Sequence, residues 1–591
     1  MADTNALHCG DCGDMLSFFN YLVCTTVKEI EGVNQSRISL SSLKLNKKRA
    51  SGDLILPGFV RACCVSDQQS SRENDHFQRL CQEITSHLSR LQFFETCCVT
   101  SSVGHLLLKL NRSLVSGTVI YNVLNKVDFT FTESPEKQKL ALLLNPSLLW
   151  SFNSEEQENL SLDQLRTALV TEHSKELLQV TGMPVKLIPF ECQANIHPDL
   201  QASKLQLCHI FVPSCMSRKA DAMVPDIEIV RKVEELVNIL QSLKFSKQVE
   251  SIKSSTEPAS HSCNNEVAVG KYNCDSMRYE CSTRNFVCDI KDFHSDMQKH
   301  SVSLSCSLLK EVAKLELVGK SAVSADILLH ITSCRRAFTQ QQVSAVWQRV
   351  SESPLVNKQF LVSHGLVTVN SNGEKLQVPF GAMDLLKVRE KQLMESYVLK
   401  YGNKVEGHAW ESSIHQMAVA AVKLEILSIA PNSEVKIDVS ESSREFRQAT
   451  FVMYNCARLA KLFENFEKNV LKGIYPALPP IQEVDFSLLR DEDEWELILN
   501  FIVTFPSVIK STVPKITLKS HNVIIQTNKI CSFLFTLSHK FSSYYGRVHI
   551  LGESRHHLFP TMFARLYLMK ALQQIILTCL KLLNISSLNQ M

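Results

Sequence analysis

Ten lysines and arginines lie between Phe501 and Met591 (Lys510, Lys515, Lys519, Lys529, Lys540, Arg547, Arg555, Arg565, Lys570, Lys581), against one acid, Glu553. The whole chain carries only +3, so the residues before Phe501 are net acidic and positive charge has been sorted to one end. Such sorting suits a polyanion-binding surface, and a nucleic acid is the leading partner; a solvated basic face without a ligand is the alternative. His556 and His557, beside Arg555, are placed in a loop between helices, where they contact phosphate or form an unliganded surface pair. Asp491–Glu494 is a run of carboxylates at a helix start, where acids favour the positive end of the helix dipole, so capping is expected ahead of metal binding.

Other chemistries find no residues to carry them. The sequence has no Gly-rich phosphate loop followed by Lys and Ser/Thr, no His-Glu-x-x-His helix and no Gly-x-Ser-x-Gly elbow. Cys9 and Cys12 have the spacing of a zinc knuckle, but no second close Cys or His pair follows, and Cys263, Cys274, Cys281 and Cys288 are too widely spaced for a finger. Neither a metal nor a cofactor is expected. The twenty scattered cysteines lack the spacing of a disulfide framework and suit a reduced, cytoplasmic protein. The first fifteen residues hold Asp3, Asp11 and Asp14 without a basic run or apolar core, and no run of about eighteen apolar residues occurs, so neither secretion nor a membrane span is expected.

At 591 residues, 45 % hydrophobic and 21 % charged, the chain has the length for about three to five domains. Residues 1–140 mix helical patterns with β-branched runs such as Thr118–Tyr121, which reads as a small α/β domain. In residues 141–416 a helical pattern from Leu162 to Val180, closed by Gly182, precedes an apolar run at Val185–Phe190, and helix followed by strand favours an α/β sheet. Within that stretch, residues 245–300 are rich in Ser, Lys, Asn and Cys and read as a loop or disordered insertion. From residue 417 the pattern is helical, with one strand signal at Val435–Val439. The last helix carries Leu568, Leu572, Ile575, Ile576, Cys579 and Leu583 at three- and four-residue steps, with Asn584 available as a left-handed cap.

Three of these pieces in order, Met417–Ala430, Val435–Val439 and Phe451–Leu459, resemble the entry into the anticodon-binding domain of class I arginyl-tRNA synthetases. That family has a helix built on aromatic-x-Gln-Tyr-x-His-Ala-Arg. Here Phe451, Tyr454, Ala457 and Arg458 are kept, with Met453 for the Gln and Cys456 for the His. Phe505-Pro506, Leu537–Tyr545, Arg565–Leu568 and Leu582–Ile585 are similar to the rest of that domain, the DALR domain. Upstream, Leu165–Gly182 lines up on the helix after the family's ATP-binding His-x-Gly-His, but the signature positions hold Ser161, Asp163 and Gln164. His364–Gly373 resembles the hairpin before the Lys-Met-Ser-Lys type loop. In that loop only Lys375 and Gly381 survive, and Val378 replaces the phosphate-clamping lysine. Val103-Gly104-His105-Leu106 mimics the first signature but precedes a hydrophobic run in the N-terminal domain.

The resemblance implies an α/β N-terminal domain and a degenerate, Rossmann-like class I synthetase core, followed by an all-α anticodon-binding bundle at 417–591. It also implies a protein like the catalytically degenerate synthetase relatives of animals, not an enzyme, because neither serine nor glutamine supplies the preorganised cation that adenylation needs. The function implied is that of an adaptor that binds arginine tRNAs and presents them to a tRNA methyltransferase making 3-methylcytidine in the anticodon loop. Stacking platforms for unpaired bases are then Phe451, Tyr454, Tyr544 and Tyr545, and cations for phosphates or base edges are Arg458, Lys540, Arg547 and Arg565; for each aromatic the alternative is a place in the core. A diverged synthetase with residual ligase activity and a protein scaffold without RNA binding are the competing functions.

Overall fold

The computed structural model describes residues 14–30, 33, 43–46, 52–64, 71–100, 104–125, 142–146, 160–188, 210–211, 226–242, 246–248, 279–282, 301–304, 306–321, 325–402, 408–440, 443–513 and 522–588. Its contacts separate two compact units. The first joins residues 1–133 to 447–512 and 529–591, and the second holds 134–446 and 513–528.

The N-terminal part of the first unit is a four-stranded antiparallel sheet in the order β1 (Lys44–Leu45), β2 (Leu54–Leu56), β4 (Leu106–Leu110), β3 (Phe94–Val99). Leu54, Leu56, Leu106, Leu108 and Leu110 are buried and supply its core face. Four helices accompany it: α1 (Met15–Lys28), α2 (Phe59–Cys63), α3 (Ser71–Leu88) and α4 (Arg112–Asn125). The β-branched run Thr118–Tyr121 lies inside α4, not in a strand. Val115, Val119, Ile120 and Val123 are buried, and that three-to-four-residue spacing outweighs the strand preference of Val, Ile and Thr.

The second unit is built on a parallel sheet in the order β11 (Gln359–His364), β10 (Ile327–Ser333), β5 (Leu142–Pro146), β6 (Val185–Leu187). Helix α5 (Leu162–Val180) connects β5 to β6, while α8 (Ala337–Val350) connects β10 to β11, so the sheet winds outward in both directions from its central pair. All seven residues of β10 are buried, as a central parallel strand requires. Between them, α6 (Asp226–Ser242) and α7 (Cys306–Ser321) pack with α8 around Trp347. The 245–300 stretch is not loop throughout: it contains β7 (Ser246–Gln248) and β8 (Tyr279–Ser282), which pair antiparallel with each other, and β8 pairs with β9 (Ser301–Leu304). The remainder of that stretch, like Cys9 and Cys12, lies outside the described residues.

A second small sheet adjoins these elements in the chain. Strands β12 (Val367–Ser371) and β13 (Glu374–Lys375) form a hairpin whose turn residues, Asn372 and Gly373, both have positive φ (52° and 82°), the conformation that matches strand twist in two-residue turns. Beside β12 runs β14 (Val435–Asp438). Helices α9 (Ala382–Tyr401) and α10 (His408–Leu427) lie between them in the chain.

The C-terminal part is helical: α11 (Arg444–Leu471), α12 (Glu492–Leu497), which runs on into a wide-turn segment Ile498–Val503, then α13 (Phe505–Thr512), α14 (Asn528–Arg547) and α15 (Phe559–Leu582). The stripe Leu568, Leu572, Ile575, Ile576, Cys579, Leu583 is buried along its length, and Asn584 ends α15 at φ 53°. From Arg447 onward these helices share the first unit with the N-terminal sheet. Among the described residues no helix is long and apolar enough to cross a membrane, and no three His, Cys, Asp or Glu converge on a metal site.

Candidate nucleic-acid interface

Helices α11 and α14 meet along a seam lined by rings and a cation. The Phe451 ring stacks on the imidazole of His539 at 4.8 Å and 26°. Two turns along α11, the Arg458 guanidinium lies over the Tyr454 ring at 5.0 Å and the Tyr545 ring at 4.9 Å, and it donates to Ser542 Oγ at 3.4 Å and to Tyr454 Oη at 3.2 Å. Positions 451, 454 and 458 share one helix face, as do 539, 542 and 545, so the two rung-like groups are separated by about 10 Å of helix rise. His539 is exposed, and Phe451, Tyr454, Arg458 and Tyr545 are half-buried. Burial raises the Tyr545 phenol pKa despite the nearby guanidinium, so the ring stays neutral at physiological pH.

Tyr544, expected as a platform, is instead a core residue. Its ring is 1 % exposed and its hydroxyl donates to Glu494 Oε1 at 2.9 Å, and burial, helped by that carboxylate, pushes the phenol pKa far up. Helical geometry explains the difference between neighbours: adjacent residues sit about 100° apart, so only one of Tyr544 and Tyr545 can face the seam.

Nor are the expected cations a free basic face. Arg565 Nε donates to the same Glu494 Oε1 at 2.7 Å, Arg547 pairs with Asp493, and Lys540 lies 3.1 Å from Glu496. Arg112 completes the set, bidentate to Glu492 at 2.6 and 3.1 Å and over the Trp495 ring. The carboxylates all come from the start of α12, where Asp491 and Glu494 also form the capping box. These acids precede Phe501, so counting charge from Phe501 onward leaves out the partners that neutralise it. Glu494 is fully buried and each of its oxygens is engaged, whereas Arg547 and Lys540 remain about half exposed in pairs that contribute little to stability.

In the second unit the two signature-like segments adjoin. Ser161 pairs with Gly381 in an isolated bridge, and Ala382 N donates to Leu160 O at 2.8 Å. Ser161 and Gln164 cap α5 reciprocally, and Asp163 Oδ1 accepts from Val367 N at 2.8 Å. One turn on, the buried Arg166 donates to the carbonyls of Gly365, Leu366, Ala430, Pro431 and Ser433, clamping the loops around β12; burial lowers its pKa to about 10. Gly365 is required there, since a Cβ would lie 2.3 Å from Ser433 O. Thr167 Oγ1 meets His364 Nε2 at 2.8 Å. Val378 is 63 % exposed, and the Arg335 guanidinium at the end of β10 lies 4.0 Å from Asp163. Of the Val103–Leu106 mimic the described part, Gly104–Leu106, leads into β4, with His105 Nδ1 accepting from Gly58 N at 2.8 Å.

Residues 452–591 match the sequence pattern of the DALR anticodon binding domain. The chain carries a DALR domain. It is similar to two proteins called DALR anticodon-binding domain-containing protein 3. The one from Mus musculus is 37 % identical over 265 residues, covering 44 % of this chain and 48 % of the mouse protein; the one from Danio rerio is 35 % identical over 308 residues, covering 50 % and 54 %. The chain thus spans about half the length of the curated relatives it matches. The solved arginyl-tRNA synthetase of Thermus thermophilus superposes with a TM-score of 0.57 over 98 % of this chain and 100 % of that one, at 12 % identity, a likeness of fold.

The DALR domain therefore contains nearly the whole seam, with Phe451 one residue ahead of the match. Sequence reasoning finds Phe451, Tyr454, Arg458 and Tyr545 but misses His539, Ser542, Asn455 and Ser538. Each of these acts across two helices, and the available signal is the periodicity of α14, which puts 538, 542 and 545 on one stripe.

Proposed function

We propose that this chain is a non-catalytic, cytosolic adaptor that binds arginine tRNAs through its DALR domain and presents them to a tRNA methyltransferase forming 3-methylcytidine in the anticodon loop. The observation that carries the RNA-binding part is the α11–α14 seam. Rings and a guanidinium stand at two levels about 10 Å apart, and aromatic and cationic faces of this kind are what unpaired bases stack on. Arginine tRNA as the cargo is supported by the resemblance of the chain to arginyl-tRNA synthetases, 27 % identical over 234 residues to one from Borrelia garinii.

The non-catalytic reading is supported at the positions that resemble the two synthetase signatures. Ser161 and Gln164 bond to each other, Asp163 is taken up by Val367 N and by Arg335 at 4.0 Å, and Val378 offers no charge. An adenylating site needs preorganised cations where phosphate charge develops. The methyltransferase is the finest step and rests on resemblance alone: an adaptor without a reaction supplies specificity by raising the effective concentration of one tRNA at a catalyst.

The test is to sequence RNA recovered with the purified chain at near-physiological salt, beside Arg458→Ala, and to measure 3-methylcytidine in the recovered species. Enrichment of arginine tRNAs that the variant loses supports the adaptor. Bulk RNA or none overturns it in favour of a scaffold, and arginine-dependent exchange of pyrophosphate into ATP revives the ligase.

A further inference from the structure

Two side-chain atoms in the α11–α14 seam, Asn455 Oδ1 and Ser538 Oγ, are buried without a hydrogen-bond partner in the protein, and both residues have 0 % exposure. Orphaned polar atoms are uncommon in folded interiors because nothing replaces the water they gave up. The Asn455 amide cannot relieve its orphan by turning over. Its Nδ2 donates to Phe451 O at 3.0 Å and to Ser538 O at 3.3 Å, two acceptors that only an N–H satisfies, so the unpaired atom is an acceptor held in one place. Ser538 adds a hydroxyl that rotates to donate or accept.

The position of this pair is informative. Asn455 sits one turn after Phe451 and just before Arg458 on α11, while Ser538 adjoins His539 on α14. Along α11 the residue with the fixed acceptor lies between a stacking ring and a guanidinium, and the adaptable hydroxyl belongs to the residue it bonds on the facing helix, beside His539. Nucleobase edges carry the complement, an N–H donor next to a ring-nitrogen or carbonyl acceptor.

We infer that Asn455 and Ser538 are a base-reading pair, in which an unpaired nucleobase takes the place of the exposed His539 ring on Phe451, donates an N–H to Asn455 Oδ1 and meets Ser538 Oγ with the neighbouring edge atom. The inference rests on the RNA-binding reading above and adds to it the residues that choose the base. Phe451 and Arg458 then contribute affinity for any unpaired base, and Asn455 and Ser538 contribute discrimination.

Ser538→Ala separates this role from a structural one. The hydroxyl has no partner in the free protein, so its removal is expected to leave the thermal midpoint of the full chain unchanged or raised. The probes are synthetic RNA hairpins with an anticodon-sized loop in which each position in turn carries each of the four bases. Wild type is expected to prefer one base at one position; Ser538→Ala should bind that preferred hairpin about five- to tenfold more weakly and lose the preference. Arg458→Ala should weaken every hairpin alike. A preference that survives Ser538→Ala, no preference in wild type, or a lowered thermal midpoint in the variant overturns the base-reading pair while leaving RNA binding standing. Failure of wild type to bind any hairpin overturns both.

Discussion

The indole of Trp495 donates its N–H to Asp53 Oδ1 at 2.9 Å, across 442 positions of sequence, with both residues buried. The other oxygen of Asp53 accepts from Leu110 N at 2.9 Å, so one carboxylate ties the N-terminal sheet to the helix that starts the acid row. Trp495→Phe keeps the ring and removes the donor, leaving Asp53 buried with half its bonds. It should destabilise the first unit by about 2–4 kcal/mol, read as a drop in denaturation midpoint.

Arg565 and Arg547 look alike in sequence and should behave oppositely. Arg565→Ala leaves the buried Glu494 without its cation and is expected to cost about 3 kcal/mol of stability. Arg547→Ala breaks an exposed pair, changes stability by about 0.5 kcal/mol or less, and should lower the salt slope of RNA binding by about one unit. Denaturation curves and binding isotherms at several salt concentrations distinguish the two.

Phe451→Ala removes a ring whose backbone carbonyl still anchors Asn455, so loss of affinity should exceed loss of stability. A decrease in RNA affinity of about tenfold is expected, measured by titration against an anticodon-loop hairpin. Unchanged affinity would place the RNA elsewhere on the DALR domain.

Acid should weaken the second unit through two histidines. Burial lowers His364 and His330 from 6.5 to about 4 each. Below pH 6.5 the unfolded chain takes up protons that the folded unit refuses, so stability is full above that pH and falls progressively towards pH 4. Each histidine contributes up to about 3 kcal/mol to this loss. Replacing His364 by Asn should flatten part of that acid limb in a series of denaturation midpoints.

How much of the fold and the seam is legible in the sequence varies with the range of the interaction. Helix Leu162–Val180, its closure at Gly182, the strand at Val435 and the left-handed Asn584 are local patterns, and each appears where the spacing predicts it. Thr118–Tyr121 reads as strand by residue type, yet distant neighbours decide its state: Gly117 lies against Phe486, more than 360 positions away. The charge of the last ninety residues misleads for a related reason. Asp493, Glu494, Glu496 and Asp14 pair with Arg547, Arg565, Lys540 and Lys510 from before that window, and Glu553, beside Arg555, is the one acid inside it. At the seam, residue type suggests Arg458 and Tyr545, but nothing local says that Asn455 and Ser538 meet.

The first unit is assembled from both ends of the chain, and this sets an order of events during synthesis. On the ribosome, the sheet of β1–β4 and helix α4 emerge roughly 320 residues before Arg447 and the helices that pack on α4, a delay of about 15–60 s at typical elongation rates. Throughout that interval Asp53 lacks its Trp495 donor and Gly117 lacks the Phe486 ring that packs on it. A premature stop anywhere after Glu133 and before α15 strands the N-terminal sheet as well as deleting every helix beyond the stop.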